Sequence, residues 1–307
     1  MTDRAPPLVH DLAFDPRYGE AVPAGGLVRR LTARNPSPFT FHGTNTYLVG
    51  RGRIAVIDPG PADAGHLATL MAAIGGEEVT HILVTHTHRD HSPGAAALKA
   101  ATGAEVLGAG PHRPSRPPRP GEDARLDAAG DMDFSPDRTL ADGAVVAGEG
   151  WTLRAVATPG HAANHLAFAL AEERLLFSGD HVMGWSTSIV APPDGAMADY
   201  MASLAVLAAR SEDRYLPGHG GPIETARDYV AALAGHRRGR ERAVLERLAA
   251  GDRTIEEIVA GVYRGLDPAL RGAAALSVLA HVEDLAARGA VAWEGEAGLT
   301  GRLRPAG

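Results

Sequence analysis

The chain contains no cysteine. Disulfides are therefore excluded, which suits a reducing compartment. No apolar run approaches the roughly 20 residues that cross a bilayer. The stretch from Met1 to Val22 also lacks the apolar core of a secretory signal, because Asp3, Arg4, Asp11, Asp15, Arg17 and Glu20 interrupt it. A cytoplasmic protein with no membrane attachment is the expectation. Positive charge is scarce as well: 30 Lys and Arg stand against 37 Asp and Glu, a formal net charge of −7. Residues 236–307 hold 11 basic and 10 acidic side chains, net +1, which leaves −8 for the residues before them. Neither part shows the basic stripe that phosphate contacts require. Arg237, Arg238, Arg240 and Arg242 make the one dense basic run and read as a solvated helix start.

What is present is a chain of 307 residues, long enough to bury a sizeable core, with 45% hydrophobic residues and 37 glycines. Strand patterns alternate with helical ones up to about Arg214: Val28 to Ala33, Thr46 to Val49, Ile54 to Asp58, a helix from Gly65 to Ile74, then a strand from Val79 to Thr85. This periodicity indicates an α/β class. The run Pro111 to Pro120, with Arg113, Arg116 and Arg119, forbids helix and reads as an extended loop near the rim of any site, where its arginines would attract an anionic substrate. After His219 the pattern turns helical. Thr225 to Leu233, Arg240 to Ala250, Thr254 to Tyr263 and Leu276 to Arg288 each read as a helix, with Thr254 and Glu257 spaced as a capping box. A boundary between residues 1–235 and 236–307 follows. No internal repeat stands out.

The chemistry concentrates in Thr85-His86-Thr87-His88-Arg89-Asp90-His91. Four side chains that bind divalent metals crowd onto the loop between a strand and a helix, where open α/β sheets present ligand sites. His86 and His88, two apart, can point the same way, while Asp90 and His91 reach a second point, so two metal positions fit this spacing better than one. The i, i+4 spacing of a helical zinc pair is absent. One loop cannot complete two coordination shells, and three later strand ends offer more donors: Pro159-Gly160-His161, Gly179-Asp180-His181 and Gly218-His219-Gly220. Glycine beside each donor lets the backbone turn sharply there.

The set His86, His88, Asp90, His91, His161, Asp180 and His219, with Ile57-Asp58-Pro59-Gly60 before it, resembles the metallo-β-lactamase superfamily of dinuclear hydrolases. The segments Asn35 to Thr40, Gly43 to Gly50, Pro159-Gly160-His161 with His165, Phe177 to Asp180, and Leu216 to Gly220 are similar to its beta-lactamase-like protein 2 branch. The chain departs from that branch at His181, where cysteine is common, and at Pro93, where glycine is frequent. The resemblance implies a four-layer αββα sandwich with a C-terminal helical, winged-helix-like tail. It also implies two divalent ions, one on His86, His88 and His161, the other on Asp90, His91 and His219, bridged by Asp180. Nitrogen and oxygen donors suit zinc first, then iron or manganese. Without cysteine the second site of many true β-lactamases cannot be built, and His88 stands where the flavodiiron branch has glutamate, so hydrolysis is expected over antibiotic resistance or oxygen chemistry.

The expected reaction uses a hydroxide bridging the two ions as nucleophile, oriented by Asp90. Asp58 is either a turn residue or a holder of ligand imidazoles. His165 and His181 are either contacts to substrate or structural histidines. Three functions remain open. The first is a hydrolase of a small ester, thioester or lactone. The second is a metal-dependent endoribonuclease on single-stranded RNA, and the third a non-enzymatic sensor that uses its tail to bind DNA or a partner and its metals only for stability. The tail is expected to wall the active-site cleft or to form a homo-oligomer interface.

Overall fold

The structure is a computed structural model that describes residues 7–120, 122 and 129–306; residues 1–6 of the N-terminal stretch lie outside them. Seven strands in chain order build the first sheet: β1 (Val22–Pro23), β2 (Val28–Thr32), β3 (Asn45–Val49), β4 (Arg53–Ile57), β5 (Glu78–Leu83), β6 (Glu105–Gly108) and β7 (Arg138–Thr139). Neighbours are antiparallel from β1 to β4 and parallel from β4 to β7. Five strands build the second sheet: β8 (Val145–Gly148), β9 (Trp151–Ala157), β10 (Leu166–Leu170), β11 (Leu175–Gly179) and β12 (Arg214–Pro217), in the order β12-β11-β10-β9-β8. Only β11 and β12 pair in parallel there.

Side chains alternate across a strand, and here both faces are buried. Tyr47 and Val49 of β3, with Ala55 and Ile57 of β4, face the second sheet, where Leu166, Phe168 and Phe177 meet them. The Tyr47 and Phe177 rings approach to 5.1 Å across this layer. The alternate residues Leu48, Ile54 and Val56 face α1 (Ala64–Ile74) and α2 (Gly94–Thr102) through Leu70, Ile74, Ala95 and Leu98. Asp63 starts α1 by accepting the His66 N–H at 2.6 Å, and Gly75, at φ 67°, closes it. The outer face of the second sheet packs on α3 (Met197–Ala208) and α4 (Ala226–Ala249) through Tyr200, Leu204, Val230 and Leu233. The layers are therefore αββα.

The tail comprises α5 (Ile255–Val262), α6 (Arg271–Ala287) and an antiparallel hairpin of β13 (Val291–Glu294) and β14 (Arg302–Pro305). Ile258, Val278, Leu279, Val291 and Leu303 make its own core. The capping box of Thr254 and Glu257 is formed. One expectation needs correction: the two helices read at Thr225 to Leu233 and Arg240 to Ala250 are a single helix, α4. Gly235 and Gly239 weaken a helix by about 1 kcal/mol each, but packing at both ends outweighs that. Val230 and Leu233 pack on the second sheet, and Val244 and Leu248 pack in the tail core. The helix thus runs through position 235 and is shared by two cores. Among the described residues no helix is long and apolar enough to cross a membrane.

The arginines also differ from expectation. Arg237 is buried, donates to the Ser188 carbonyl and lies over the Tyr200 ring, while Arg240 lies 4.5 Å from the centre of the Tyr263 ring. Arg238 and Arg242 sit farther out on the same helix. In the proline-rich segment, Arg113 donates to the Ala163 carbonyl at 2.9 Å, Arg116 makes a two-pronged bond to Glu283 of α6 and another to Glu122, and Arg119 also pairs with Glu283. Arg116 and Arg119 thus fasten the tail to the sandwich, Arg113 ties the segment to the turn before β10, and none of the three lines the cavity to attract an anion.

Candidate metal centre

The strands β9, β11 and β12 point the same way, so the turns that follow them share one edge of the sandwich. The loop after β5 joins that edge, where the Leu166 N–H donates to the Thr85 carbonyl at 2.7 Å. Close packing needs small residues: a Cβ on Gly218 would lie 2.3 Å from Asp180 Oδ1, and one on Gly160 would lie 2.3 Å from the Tyr200 backbone.

All seven expected donors meet here. His86, His88 and His161 place ligand atoms within 4.8 Å of one another, as do His86, His91 and Asp180, and also Asp90, His91 and His219. His88 Nδ1 lies 3.0 Å from both His86 Nε2 and His161 Nε2, and His91 Nε2 lies 3.3 Å from His219 Nε2. Asp180 faces every group, with Oδ2 at 3.1 Å from His219 Nε2 and 3.8 Å from His161 Nε2, and Oδ1 at 3.5 Å from His91 Nε2. Its buried Oδ1 has no hydrogen-bond partner among the described residues. Nitrogens aimed at one another and an unsatisfied buried carboxylate oxygen are costly alone, and divalent ions with imidazole and carboxylate preferences would satisfy both. The donor set fits metal.

Each imidazole is held by its other nitrogen. His86 Nδ1 meets Thr85 Oγ1 at 3.0 Å, His91 Nδ1 meets Asp58 Oδ2 at 2.9 Å, His161 Nδ1 meets the Ile189 carbonyl at 2.6 Å and His219 Nδ1 meets the Gly43 carbonyl at 3.1 Å. His88 is reversed: Nε2 contacts Asp194 Oδ2 at 2.6 Å, leaving Nδ1 toward the cluster. Asp58 also accepts from the Thr85 N–H and hydroxyl, each at 2.7 Å, so it braces both ends of the loop that carries His86 to His91 besides making the turn. Thr44 Oγ1 donates to Asp90 Oδ2 at 3.0 Å, and the Asn45 amide donates to the Pro217 and Gly220 carbonyls, which locks the His219 turn.

Burial and the neighbouring imidazoles push His86 well below its ordinary value, and His161 falls to about 4 for the same reasons, so both keep a lone pair free. Burial would raise Asp180, but His219 and His91 outweigh it and hold the carboxyl well below the usual range. Asp90 behaves alike. The same carboxylates push His91 well above its ordinary value and His219 up to about 9, so without ions these two rings hold protons that bound cations would displace.

The histidines left open between two roles both avoid the cavity. His165 Nδ1 contacts Thr158 Oγ1 at 2.8 Å and its Nε2 accepts the Asp180 N–H at 3.2 Å, so it positions Asp180. His181 is fully buried beside the Tyr200 ring, 4.4 Å between centres, and burial pushes it down to about 3. Neither lines the cavity, and of the two roles left open for them this placement accords with the structural one. Asp194 was not among the expected residues; its only signal in the sequence is a carboxylate inside the turn Pro192-Pro193-Asp194-Gly195.

With this geometry, the family is plain. The chain belongs to the metallo-beta-lactamase superfamily, which it matches over residues 39–219, and residues 254–299 match the beta-lactamase associated winged helix domain. It is a metal-dependent hydrolase. Among its relatives, it is 32% identical to a beta-lactamase-like protein 2 homolog of Caenorhabditis elegans over 269 residues, 86% of this chain and 85% of that one. It is 32% identical over 224 residues to an atrochrysone carboxyl ACP thioesterase of Cryptosporiopsis sp., 72% of this chain and 62% of that one. A metallo-beta-lactamase family protein of Thermus thermophilus superposes with a TM-score of 0.72 at 26% identity, covering 91% of this chain and 98% of that one.

Proposed function

We propose that the protein hydrolyses a small acyl substrate, and among esters, thioesters and lactones we favour a thioester. The observation that carries this reading is that the donor cluster opens into a cavity whose walls are mainly apolar. A thioesterase among the relatives supports the choice of acyl–sulfur bond. His86, His88 and His161 would hold one ion, Asp90, His91 and His219 the other, with Asp180 between them; zinc is the first candidate, then iron or manganese. Bound divalent ions supply a water acidified toward a pKa of about 7 and polarise the acyl carbonyl.

The protein's own groups do the rest. Asp90, whose Oδ2 is held by the Thr44 hydroxyl, is about a quarter exposed and borders the cavity, so it orients the attacking water and carries its proton. A carbon–oxygen bond forms, the carbon–sulfur bond breaks, one proton of the water goes to the leaving sulfur and the other to solvent as the acid ionises, giving a carboxylate and a thiol. His88, His161 and His219 border the same cavity and fix where the carbonyl sits. The mainly apolar walls and the inward turn of Arg237 and Arg240 favour this substrate over RNA, and membership of a hydrolytic superfamily argues against a non-enzymatic sensor. A panel of ester, thioester, lactone and single-stranded RNA substrates, run with chelator and with zinc restored, tests the reading. Chelator-sensitive thioester cleavage is expected; RNA cleavage without thioester cleavage would overturn it.

A further inference from the structure

The cavity over the donor cluster measures about 730 Å³. Its floor is the cluster itself, and its walls include Phe39, Met183, Ile189, Pro192 and Pro193 of the catalytic body together with Leu276 of α6. We infer that this space is an acyl pocket, which selects thioesters with a bulky, uncharged, apolar acyl group, and that Leu276 of the winged-helix tail sets the size it accepts. The inference rests on the thioester reading above and adds the identity of the acyl class.

The volume falls within the range of pockets for drug-sized ligands. At about 30 Å³ per water-sized group it has room for roughly two dozen non-hydrogen atoms, far more than an acetyl group needs. Among the described residues, the lining beyond the donor cluster carries charge only at Arg89 and Asp194. The side chains of Met183, Ile189, Pro192, Pro193 and Leu276 offer a carboxylate no partner for lost hydration, whereas apolar carbon gains from burial against them.

The tail wall is held in place. Ser115 donates to the Pro193 carbonyl through both its N–H and its hydroxyl, each at 2.8 Å, and the next residue, Arg116, grips Glu283 two turns along the helix that carries Leu276. One short segment thus ties the Pro193 wall to the Leu276 wall. Phe39 stands at 51% exposure, where a longer acyl group would reach the mouth.

The test uses the full-length zinc-loaded protein and N-acetylcysteamine thioesters from acetyl to decanoyl, with naphthoyl as a ring-bearing acyl group and succinyl as a charged one. We expect kcat/KM to rise about fourfold per added methylene until the pocket is full, and succinyl to fall below the uncharged acyl group of equal length. Leu276→Trp should lower the ratio of decanoyl to acetyl kcat/KM at least about tenfold. Phe39→Ala, at an exposed position that does not threaten folding, should lower the same ratio severalfold. Calorimetry with non-hydrolysable thioether analogues gives a second reading, in which affinity should rise with chain length even for a protein that turns none of them over. Failure to cleave any thioester would refute the reading above, while size-dependent thioether binding would still uphold the pocket. Cleavage or binding that is flat across acyl size would overturn the pocket and leave the thioester reading standing. A size preference that Leu276→Trp does not shift would remove the tail from the selection.

Discussion

Replacing Asp194 with alanine tests whether the reversed imidazole depends on one distant carboxylate. His88 Nε2 and Asp194 Oδ2 are 2.6 Å apart, with side chains only 16% and 10% exposed. Given its N–H to Asp194, the ring keeps the Nδ1 lone pair at 3.0 Å from both His86 Nε2 and His161 Nε2. In the alanine variant nothing fixes that tautomer, and a proton on Nδ1 would point into the cluster. A hydrogen bond to a charged group contributes about 1.5–3 kcal/mol, and outer partners of ligand histidines change metal affinity about 10- to 100-fold, or about 1.4–2.7 kcal/mol. The two scales agree. The dissociation constant of the ion on His86, His88 and His161 should therefore rise about 10- to 100-fold. The ion on Asp90, His91 and His219 should change less, because Asp58 and the Gly43 carbonyl brace its histidines. Asp194→Asn keeps an acceptor without the charge and should fall between. Competition against a chromophoric chelator resolves the two binding steps, and melting of the metal-stripped proteins checks the fold. Two steps as tight as in the parent would refute the argument, and equal weakening of both would assign Asp194 a general structural role.

Asp90→Asn should leave a folded protein with weakened second-ion binding and kcat reduced at least about 100-fold; full turnover in that variant would contradict its role. Stripping the ions should abolish hydrolysis and lower the melting temperature, since an ion present at about 1,000 times its dissociation constant stabilises by about 4 kcal/mol; an unchanged melting curve would refute tight binding. Acid stability should depend on His281, which burial and then Arg237, His236 and Arg240 push down to about 3. Because the folded value is depressed, the contribution is complete above about 6.5 and is lost as pH falls from there toward about 3, where only the unfolded chain takes up the proton. At about pH 5 the loss is roughly 2 kcal/mol. His281→Gln should flatten the fall of melting temperature between about pH 7 and pH 5, and parallel curves for the two proteins would exclude His281 as its source.

The donor set was legible because each donor sits just beyond a strand pattern, close to a glycine or proline that marks the turn. Strand, turn and ligand type are all local, so His86, Asp180 and His219 announce themselves without the fold. The alternation of Tyr47, Leu48 and Val49 likewise exposes a strand between two layers. Asp194 is different. Its turn looks like any Pro-Gly turn, and only folding brings it 106 positions back along the chain to His88. Gly235 and Gly239 read locally as a break, yet contacts from two separate cores carry α4 through them. Arg237 sits in an apparently solvated run, and the groups that bury it, Ser188 and Tyr200, lie on other elements. Leu276 repeats at helical spacing like its core neighbours, although it faces the cavity. The division is physical: the donor groups are presented by strand ends, whose signals are short-range, while the cavity above them is closed by surfaces distant in the chain. A related chain could therefore keep all seven donors and change its acyl preference through positions such as 39, 189 and 276 alone.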